Sequence, residues 1–106
     1  MPCTNWNDSE KKIARRAFEA ALHRELTSIM AEFKEMAAKA DRPEDMWAVQ
    51  EYLAGKRREI DGKYDYRYSQ LDLVFGRLLR ERWIQEQELN GLSEDKLAYI
   101  RRIVFL

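Results

Sequence analysis

Between Ser9 and about Ala40 the apolar residues recur at intervals of four and three positions. That spacing puts them on one side of a helix, so we predict a single long helix whose apolar seam packs lengthwise against another helix. The seam comprises Phe18, Leu22, Leu26, Ile29, Phe33, Met36 and Ala40. A helix of about 30 residues is roughly 45 Å long, whereas a compact domain of this size has a radius of gyration of about 13 Å. This helix must therefore extend beyond any compact core.

The part of the seam that extends beyond the core needs a cover, because a continuous apolar stripe is rarely left in water. A second helix and a second subunit would cover it together, so we predict a two-fold dimer. The alternative is a compact monomeric bundle in which the first helix is kinked or shorter than its periodicity indicates.

Capping residues indicate where the first two helices begin. Asp8 or Ser9 is the expected N-cap of the first helix, and neither is followed by the acidic residue that would complete a capping box. A second helix is expected over about residues 41–61, because Pro43 fits the first turn of a helix. Gly62 is then the expected C-cap, since glycine readily adopts the left-handed conformation.

The C-terminal part of the chain is predicted to form two shorter helices. The third helix covers about Tyr64–Trp83, and Asn90–Gly91 interrupts the chain before Ser93 caps the last helix. The expected buried residues are Leu71, Val74, Phe75, Leu78, Leu79 and Trp83 in the third helix, and Leu97, Ile100, Ile103 and Val104 in the last.

The sequence contains no sustained alternation of apolar and polar residues that would indicate strands. We therefore predict an all-α fold, and the length allows one domain, residues 1–106. This domain would consist of a long antiparallel helical stalk, about residues 9–61, and a small helical head, about residues 64–106.

Charge and cysteine content exclude several classes of function. Lys plus Arg and Asp plus Glu both number 19, and Lys56–Arg58 interleaves with Glu51, Glu59 and Asp61. Such mixing is typical of a solvated face, so nucleic-acid binding is not predicted. No apolar stretch is long enough to cross a bilayer, so no membrane insertion is expected. Cys3 is the only cysteine, which allows no internal disulfide and fits a reducing, cytoplasmic location.

The residues that would support catalysis or cofactor binding are missing. His23 is the only histidine, and neither a set of metal ligands nor a catalytic triad can be assembled around it from the sequence. The four glycines are scattered singly, so no phosphate-binding loop is formed. We predict a protein without cofactor, metal or enzymatic activity.

Three tyrosines suggest a protein-binding surface. Tyr64, Tyr66 and Tyr68 alternate with other residues, and a helix cannot place all three on one face. At least one would then be exposed or at an interface, where rigid aromatic side chains anchor partner proteins. An equally good interpretation is that two of them pack the stalk against the head.

One stretch of the chain resembles a known family. The unbroken run Glu59-Ile60-Asp61-Gly62-Lys63-Tyr64-Asp65 is preceded by Trp47 and Lys56-Arg57 and followed by Arg67. This segment, Met46 to Arg67, resembles the signature region of the fluorescence recovery protein family. Weaker similarity extends in register to Arg24-Glu25-Leu26, Val74-Phe75, Leu78-Leu79, Glu88-Leu89 and Asp95-Lys96.

The resemblance implies an all-helical homodimer that acts by binding another protein. In that family the partner is the orange carotenoid protein, which is bound chiefly through its C-terminal domain. Binding accelerates the return of the photoactivated red form to the orange form and promotes its release from phycobilisomes, which ends photoprotective quenching. The alternative is a dimeric module of the same fold that serves a different client.

The resemblance also implies site residues. Trp47 and Arg57 match residues at the dimer interface and the adjoining partner-binding surface, where Gln50, Glu51 and Tyr64 are expected as well. Leu73, Phe75 and Tyr99 are the expected partner contacts in the head. The chain departs from the family, which commonly has His and Asp where Gln50 and Glu51 stand, an aromatic residue in place of Leu73 and a lysine in place of Tyr99.

Overall fold

The longest element is α1, an unbroken helix over Asp8–Lys39. It is followed by α2 (Pro43–Lys63), α3 (Leu71–Arg80), a 3-10 turn (Glu86–Leu89) and α4 (Glu94–Val104). These elements come from a computed structural model that describes residues 5–106, and Cys3 lies outside the described residues. No strand occurs within that range, so the predicted all-α fold is confirmed.

The C-terminal half of α1 and the whole of α2 form an antiparallel helical hairpin. Their direction follows from two contacts, because Glu32 of α1 meets Tyr52 of α2, whereas the earlier Glu25 meets the later Lys63. We call this hairpin, residues 22–63, the arm. It makes the molecule elongated, with extents of 54 × 23 × 21 Å.

The remaining residues, 5–21 and 64–106, form what we call the globular end. Its fully buried side chains include Phe75, Leu71, Leu78, Leu89 and Ile100. The first turns of α1 belong to this core through Ile13, Ala14, Ala17, Phe18 and Ala21, although the predicted division assigns them to the stalk. The alanines among these residues are the sequence feature that indicates this packing, because small side chains allow other helices to approach α1 closely.

Helices α3 and α4 pack directly against each other. Gly76 makes this possible, since a Cβ at that position would clash with the Ile103 side chain. The missing side chain therefore sets the distance between the two helices, and Ile100 and Ile103 fill the space at their interface.

The N-cap of α1 differs from the prediction. Asn7, not Asp8 or Ser9, caps the helix, and its side-chain oxygen accepts a hydrogen bond from the Glu10 N–H at 2.8 Å. The Glu10 carboxylate accepts in turn from the Asn7 N–H at 3.2 Å, which completes a capping box. The predicted absence of a capping box was therefore wrong, because the pairing begins one residue earlier.

The end of α2 also differs from the prediction. Gly62 lies inside the helix, which continues to Lys63, and Tyr64 is its C-cap. The physical reason is the Lys63 side chain, which is buried in an ion pair with Glu25. Continuing the helix by one residue places this side chain against α1, and the gain exceeds what a glycine cap would provide.

Residues 64–70 are not part of α3, which begins only at Leu71. Residues 68–70 form a turn and residues 64–67 belong to no helix, so the helical step that would spread these side chains around an axis is absent. Tyr64, Tyr66 and Tyr68 are therefore all half-buried against the globular end, where Phe18 contacts the first two. The helical prediction for this segment was wrong, whereas the interpretation of the tyrosines as packing residues fits the structure.

Candidate protein-interaction surfaces

The arm buries almost none of its apolar residues completely. Among residues 22–63 only Glu25 and Lys63 are buried, and these two form an ion pair. Large apolar side chains remain exposed instead, namely Leu26, Met30, Met46, Trp47 and Leu53. Several large apolar side chains exposed on one hairpin, two of them beside a groove between its helices, indicate a surface that contacts another molecule.

Trp47 is the most exposed of the arm's large apolar residues, with 64% of its surface accessible. Gln50, Glu51 and Arg57 are also exposed, and their spacing from Trp47 puts all four on the same side of α2. Arg57 has one weak contact, at 3.8 Å to the exposed Asp61. The structure thus brings together four of the predicted site residues, which we call the Trp47 face.

An apolar groove runs beside the Trp47 face between the two helices of the arm. Its walls are Leu26 and Ile29 of α1 and Leu53 and Ile60 of α2, and its volume is about 390 Å³. Arg57 borders the same groove. The groove and the Trp47 face together combine apolar area with a forked cation, which is the usual composition of an energetically important protein interface.

Tyr64 lies elsewhere, at the junction of the arm with the globular end. Lys63 places its ammonium 2.6 Å from Glu25 Oε1 and 2.7 Å from Glu81 Oε1, and the Tyr64 hydroxyl donates to Glu25 Oε1 at 2.8 Å. Arg77 donates to the other oxygen of Glu81 at 2.8 Å. We call these five residues the joint, since they link α1, α2 and α3.

Burial and charge shift two pKa values at the joint. Burial, followed by the hydrogen bond to Glu25, raises the pKa of the Tyr64 hydroxyl, so the phenol stays protonated and remains a donor. Burial alone would raise the pKa of Glu81, but hydrogen bonds from Lys63 and Arg77 outweigh it and hold that pKa below its ordinary value. The joint is therefore a charged network in which every member has a partner.

The three predicted head contacts have different environments. Leu73 is 46% exposed and borders a small cleft next to the joint. Tyr99 is half-buried, with the Arg102 guanidinium 5.7 Å from its ring centre. Phe75 has no exposed surface, because it lies in the apolar core of the globular end. Phe75 as placed therefore presents no surface to a partner.

Sequence reasoning missed the joint as a structural unit. Lys63 and Tyr64 lie in the run that resembles the family, and Glu25 lies in a weaker matching triplet, so the signal was present at both ends. What the sequence lacked was the register between α1 and α2, which alone shows that a lysine and a glutamate 38 positions apart meet.

Clusters of metal ligands and helices that could span a membrane are both absent among the described residues. No group of three or more His, Cys, Asp or Glu side chains converges on a point among residues 5–106. Likewise, none of the helices in that range is long and apolar enough to cross a membrane.

Comparisons with known proteins agree with this picture. Residues 6–104 match the family described as photoprotection regulator fluorescence recovery protein. A fluorescence recovery protein from Synechocystis is 37% identical over 101 residues, which are 95% of this chain and 93% of that protein.

Solved structures are similar over nearly the whole chain. The fluorescence recovery protein of Fremyella diplosiphon has a TM-score of 0.92 at 38% identity, covering 96% of this chain and 100% of its own. The structure from Synechocystis sp. PCC 6803 has a TM-score of 0.92 at 36% identity, with the same coverage.

Proposed function

The chain belongs to the fluorescence recovery protein family of photoprotection regulators, and on that premise we propose that it acts on an orange carotenoid protein. It binds the photoactivated red form, chiefly through the C-terminal domain of that partner. Binding accelerates the return to the orange form and promotes release from phycobilisomes. No substrate is turned over in this role.

The observation that carries the proposal is the uncovered apolar surface of the arm. Residues 22–63 bury no apolar side chain completely, so this surface gains stability only when another protein covers it. A regulator of this kind works by binding one domain arrangement of its partner more tightly than the others. The difference in affinity shifts the partner's equilibrium toward the bound arrangement.

A second copy of the chain is the first cover that we propose for this surface. In a two-fold dimer each arm would place its Trp47 face and apolar groove against the other arm. Trp47 and Arg57 would be the anchors, since tryptophan and arginine dominate the binding energy of protein interfaces. Gln50 and Glu51 border Trp47 and would supply polar contacts at the edge, while Tyr64 would act from the joint by fixing the arm's position.

Colour recovery in darkness tests the function directly. A photoactivated orange carotenoid protein is mixed with an excess of this protein, and its absorbance is followed as the red form returns to orange. We expect recovery to be accelerated, because binding stabilises an intermediate domain arrangement of the partner on the way back to the orange form. An unchanged recovery rate at saturating concentration would contradict the proposal, provided that the protein is shown to be folded by circular dichroism.

The departures from the family favour the alternative in which the chain serves a different protein client. Leu73 and Tyr99 stand where an aromatic residue and a lysine are common, so the globular end presents a less basic surface here. A dimeric interaction module with a different protein client would fit these substitutions. A Leu73→Phe/Tyr99→Lys variant that gains acceleration, while the natural chain has none, would support this alternative.

A further inference from the structure

The first turns of α1 carry an unusual concentration of positive charge. Of residues 11–16, the two that are buried are Ile13 and Ala14, and all four exposed ones are basic. Together with Tyr66 and Tyr68 they line a groove of about 460 Å³, which we call the basic groove. Its basic residues are Lys11, Lys12, Arg15 and Arg16, and Glu19 lies at one edge.

This arrangement works against the stability of α1. Lys11 and Arg15, and likewise Lys12 and Arg16, are four positions apart, and like charges at that spacing repel each other on a helix surface. Positive charge near the beginning of a helix is also unfavourable, because the helix dipole is positive there. Lys11 and Arg15 are compensated by contacts with tyrosine rings. Lys12 and Arg16 have no such contact within residues 5–106, and a local rule broken without a structural gain is expected where a surface has a function.

Nearby acids neutralise the basic groove only in part. Asp8 lies four positions before Lys12 at the start of α1, and it forms no ion pair within residues 5–106. Glu10 is buried and already bound by Lys96 and by the N–H of Ser93. Arg15 reaches Glu19 only at 3.9 Å, between two exposed side chains. Lys12 and Arg16 form no ion pair within the part of the chain that the structure describes. The groove therefore keeps a strong positive field for an external anion.

The groove is lined by two tyrosine rings, each of which has a basic side chain over one face. The Arg15 guanidinium lies 3.9 Å from the centre of the Tyr66 ring, and the Lys11 ammonium lies 5.2 Å from that of Tyr68. Bases of single-stranded nucleic acid need free aromatic faces to stack on. The four cations also span less than two helical turns, which is too short to follow a phosphate backbone.

We propose that the basic groove is a docking surface for an acidic segment of a partner protein. It lies on the globular end, roughly 36 Å along α1 from Met36, which lies against α2 near the tip of the arm. The groove and the Trp47 face can therefore be occupied at the same time. Carboxylates would contact Lys12 and Arg16, while Lys11 and Arg15 remain on the tyrosine rings. This inference does not depend on which client the arm binds.

A labelled peptide of about ten glutamates tests the proposal by fluorescence anisotropy at about 50 mM and about 500 mM salt, a range over which exposed charges become screened. We expect saturable binding at low salt that is lost at high salt. A Lys12→Glu/Arg16→Gln variant should bind roughly tenfold more weakly, since it exchanges attraction for repulsion. Neither residue packs on the tyrosines, so the groove itself should stay folded.

A Lys34→Glu/Arg80→Gln variant is the matched control, because it makes the same change in charge at two exposed cations that lie outside the groove. It should retain at least half of the wild-type affinity. Equal losses in both variants would show non-specific attraction and overturn the proposal, as would no binding at any salt concentration. Tighter binding of an oligothymidylate of similar charge would assign the groove to nucleic acid instead.

The Lys12→Glu single variant separates binding from folding. It replaces the repulsion between Lys12 and Arg16 by attraction, while the favourable spacing of Lys12 from Asp8 becomes a repulsive one. These two changes offset each other and an acid suits the beginning of a helix, so the melting temperature should stay close to that of the wild type. Reduced peptide binding at unchanged or higher thermal stability supports a docking role. If the variant loses stability as well, Lys12 is a structural residue and the proposal fails.

Discussion

The arm and the globular end are built from similar helices but bury different residues. The globular end buries apolar side chains, of which Leu71, Phe75 and Leu78 are fully covered. The arm completely buries only a glutamate and a lysine, Glu25 and Lys63. Apolar burial is the main source of folding stability, so the globular end supplies most of the stability of the chain. The arm supplies most of the apolar surface that is still exposed and free to contact another molecule.

The difference shows where each region can tolerate change. A substitution in the globular end should alter the free energy of unfolding, whereas a substitution on the arm should alter association with another molecule. The joint lies between the two regions. Because Glu25 and Lys63 are buried, substitutions there should alter the free energy of unfolding, and because the joint holds the arm, they should also alter association. The division into a stability region and a contact region would be wrong if arm variants altered the free energy of unfolding and globular-end variants altered only association.

The largest effect is expected from Phe75→Ala in the globular end. Removing a fully buried aromatic ring leaves a cavity and should lower the free energy of unfolding by about 3 to 5 kcal/mol. Urea denaturation followed by circular dichroism measures this value. Leu73→Ala is the matched control two positions away on the exposed side of α3, and it should cost less than about 1 kcal/mol. Similar losses in both variants would contradict the burial assigned to Phe75.

The next largest effect is expected at the joint. Lys63→Met would leave the Glu25 and Glu81 carboxylates close together without their shared cation, and an uncompensated buried charge typically costs about 3 kcal/mol or more. Urea denaturation should show this loss, with Lys34→Met, an exposed lysine of α1, as the control. A free energy of unfolding within about 0.5 kcal/mol of the wild-type value would show that the joint does not hold the arm.

The helices themselves could be predicted because their signals are local. The apolar spacing of α1 and the Ser93 cap of α4 appear at the expected positions, and the side chain of Ser93 accepts from the Lys96 N–H. The segment around Gly62 was predicted incorrectly, because the decision between a glycine cap and one more helical residue depends on where Lys63 finds Glu25. Such a contact between distant residues is not encoded in local propensity.

The candidate sites were predictable only in part, for the same reason. The exposed position of Trp47 is consistent with a surface contact, whereas Phe75 lies in the core of the globular end. A resemblance in sequence names both residues but does not state which side of a helix faces solvent. The basic groove was missed because the whole-chain charge is zero, and only the folded structure shows that the four cations of residues 11–16 line one groove with Tyr66 and Tyr68.

An intermediate effect is expected from Trp47→Ala, and it should appear in association rather than folding. If Trp47 anchors a dimer, its removal should weaken association by about 2 kcal/mol or more. Light scattering over a dilution series measures the dissociation constant, and urea denaturation of the monomer should be nearly unchanged. Gln87→Ala, an exposed residue of the globular end, is the control.

A dimer of undiminished strength after Trp47→Ala would place the interface away from the Trp47 face. Arg57→Leu then gives a second test on the same face, since it removes the forked cation and retains apolar area. If both variants associate like wild type, the arm surface is not covered by a second copy, and the client protein becomes its only proposed cover.

The smallest effect is expected from acidification of the globular end. Burial alone would raise the pKa of Glu10, but hydrogen bonds from the N–H groups of Ser93 and Asn7 and from Lys96 outweigh it and hold that pKa below 4.5. A carboxyl with a lowered pKa in the folded state contributes stability above its unfolded pKa and loses it as the pH falls through the folded pKa. The free energy of unfolding should therefore decrease as the pH drops below about 4.5, and Glu10→Gln should make this decrease shallower. Urea denaturation at several pH values measures both slopes, and parallel slopes would show that Glu10 does not contribute to the acid sensitivity of the globular end.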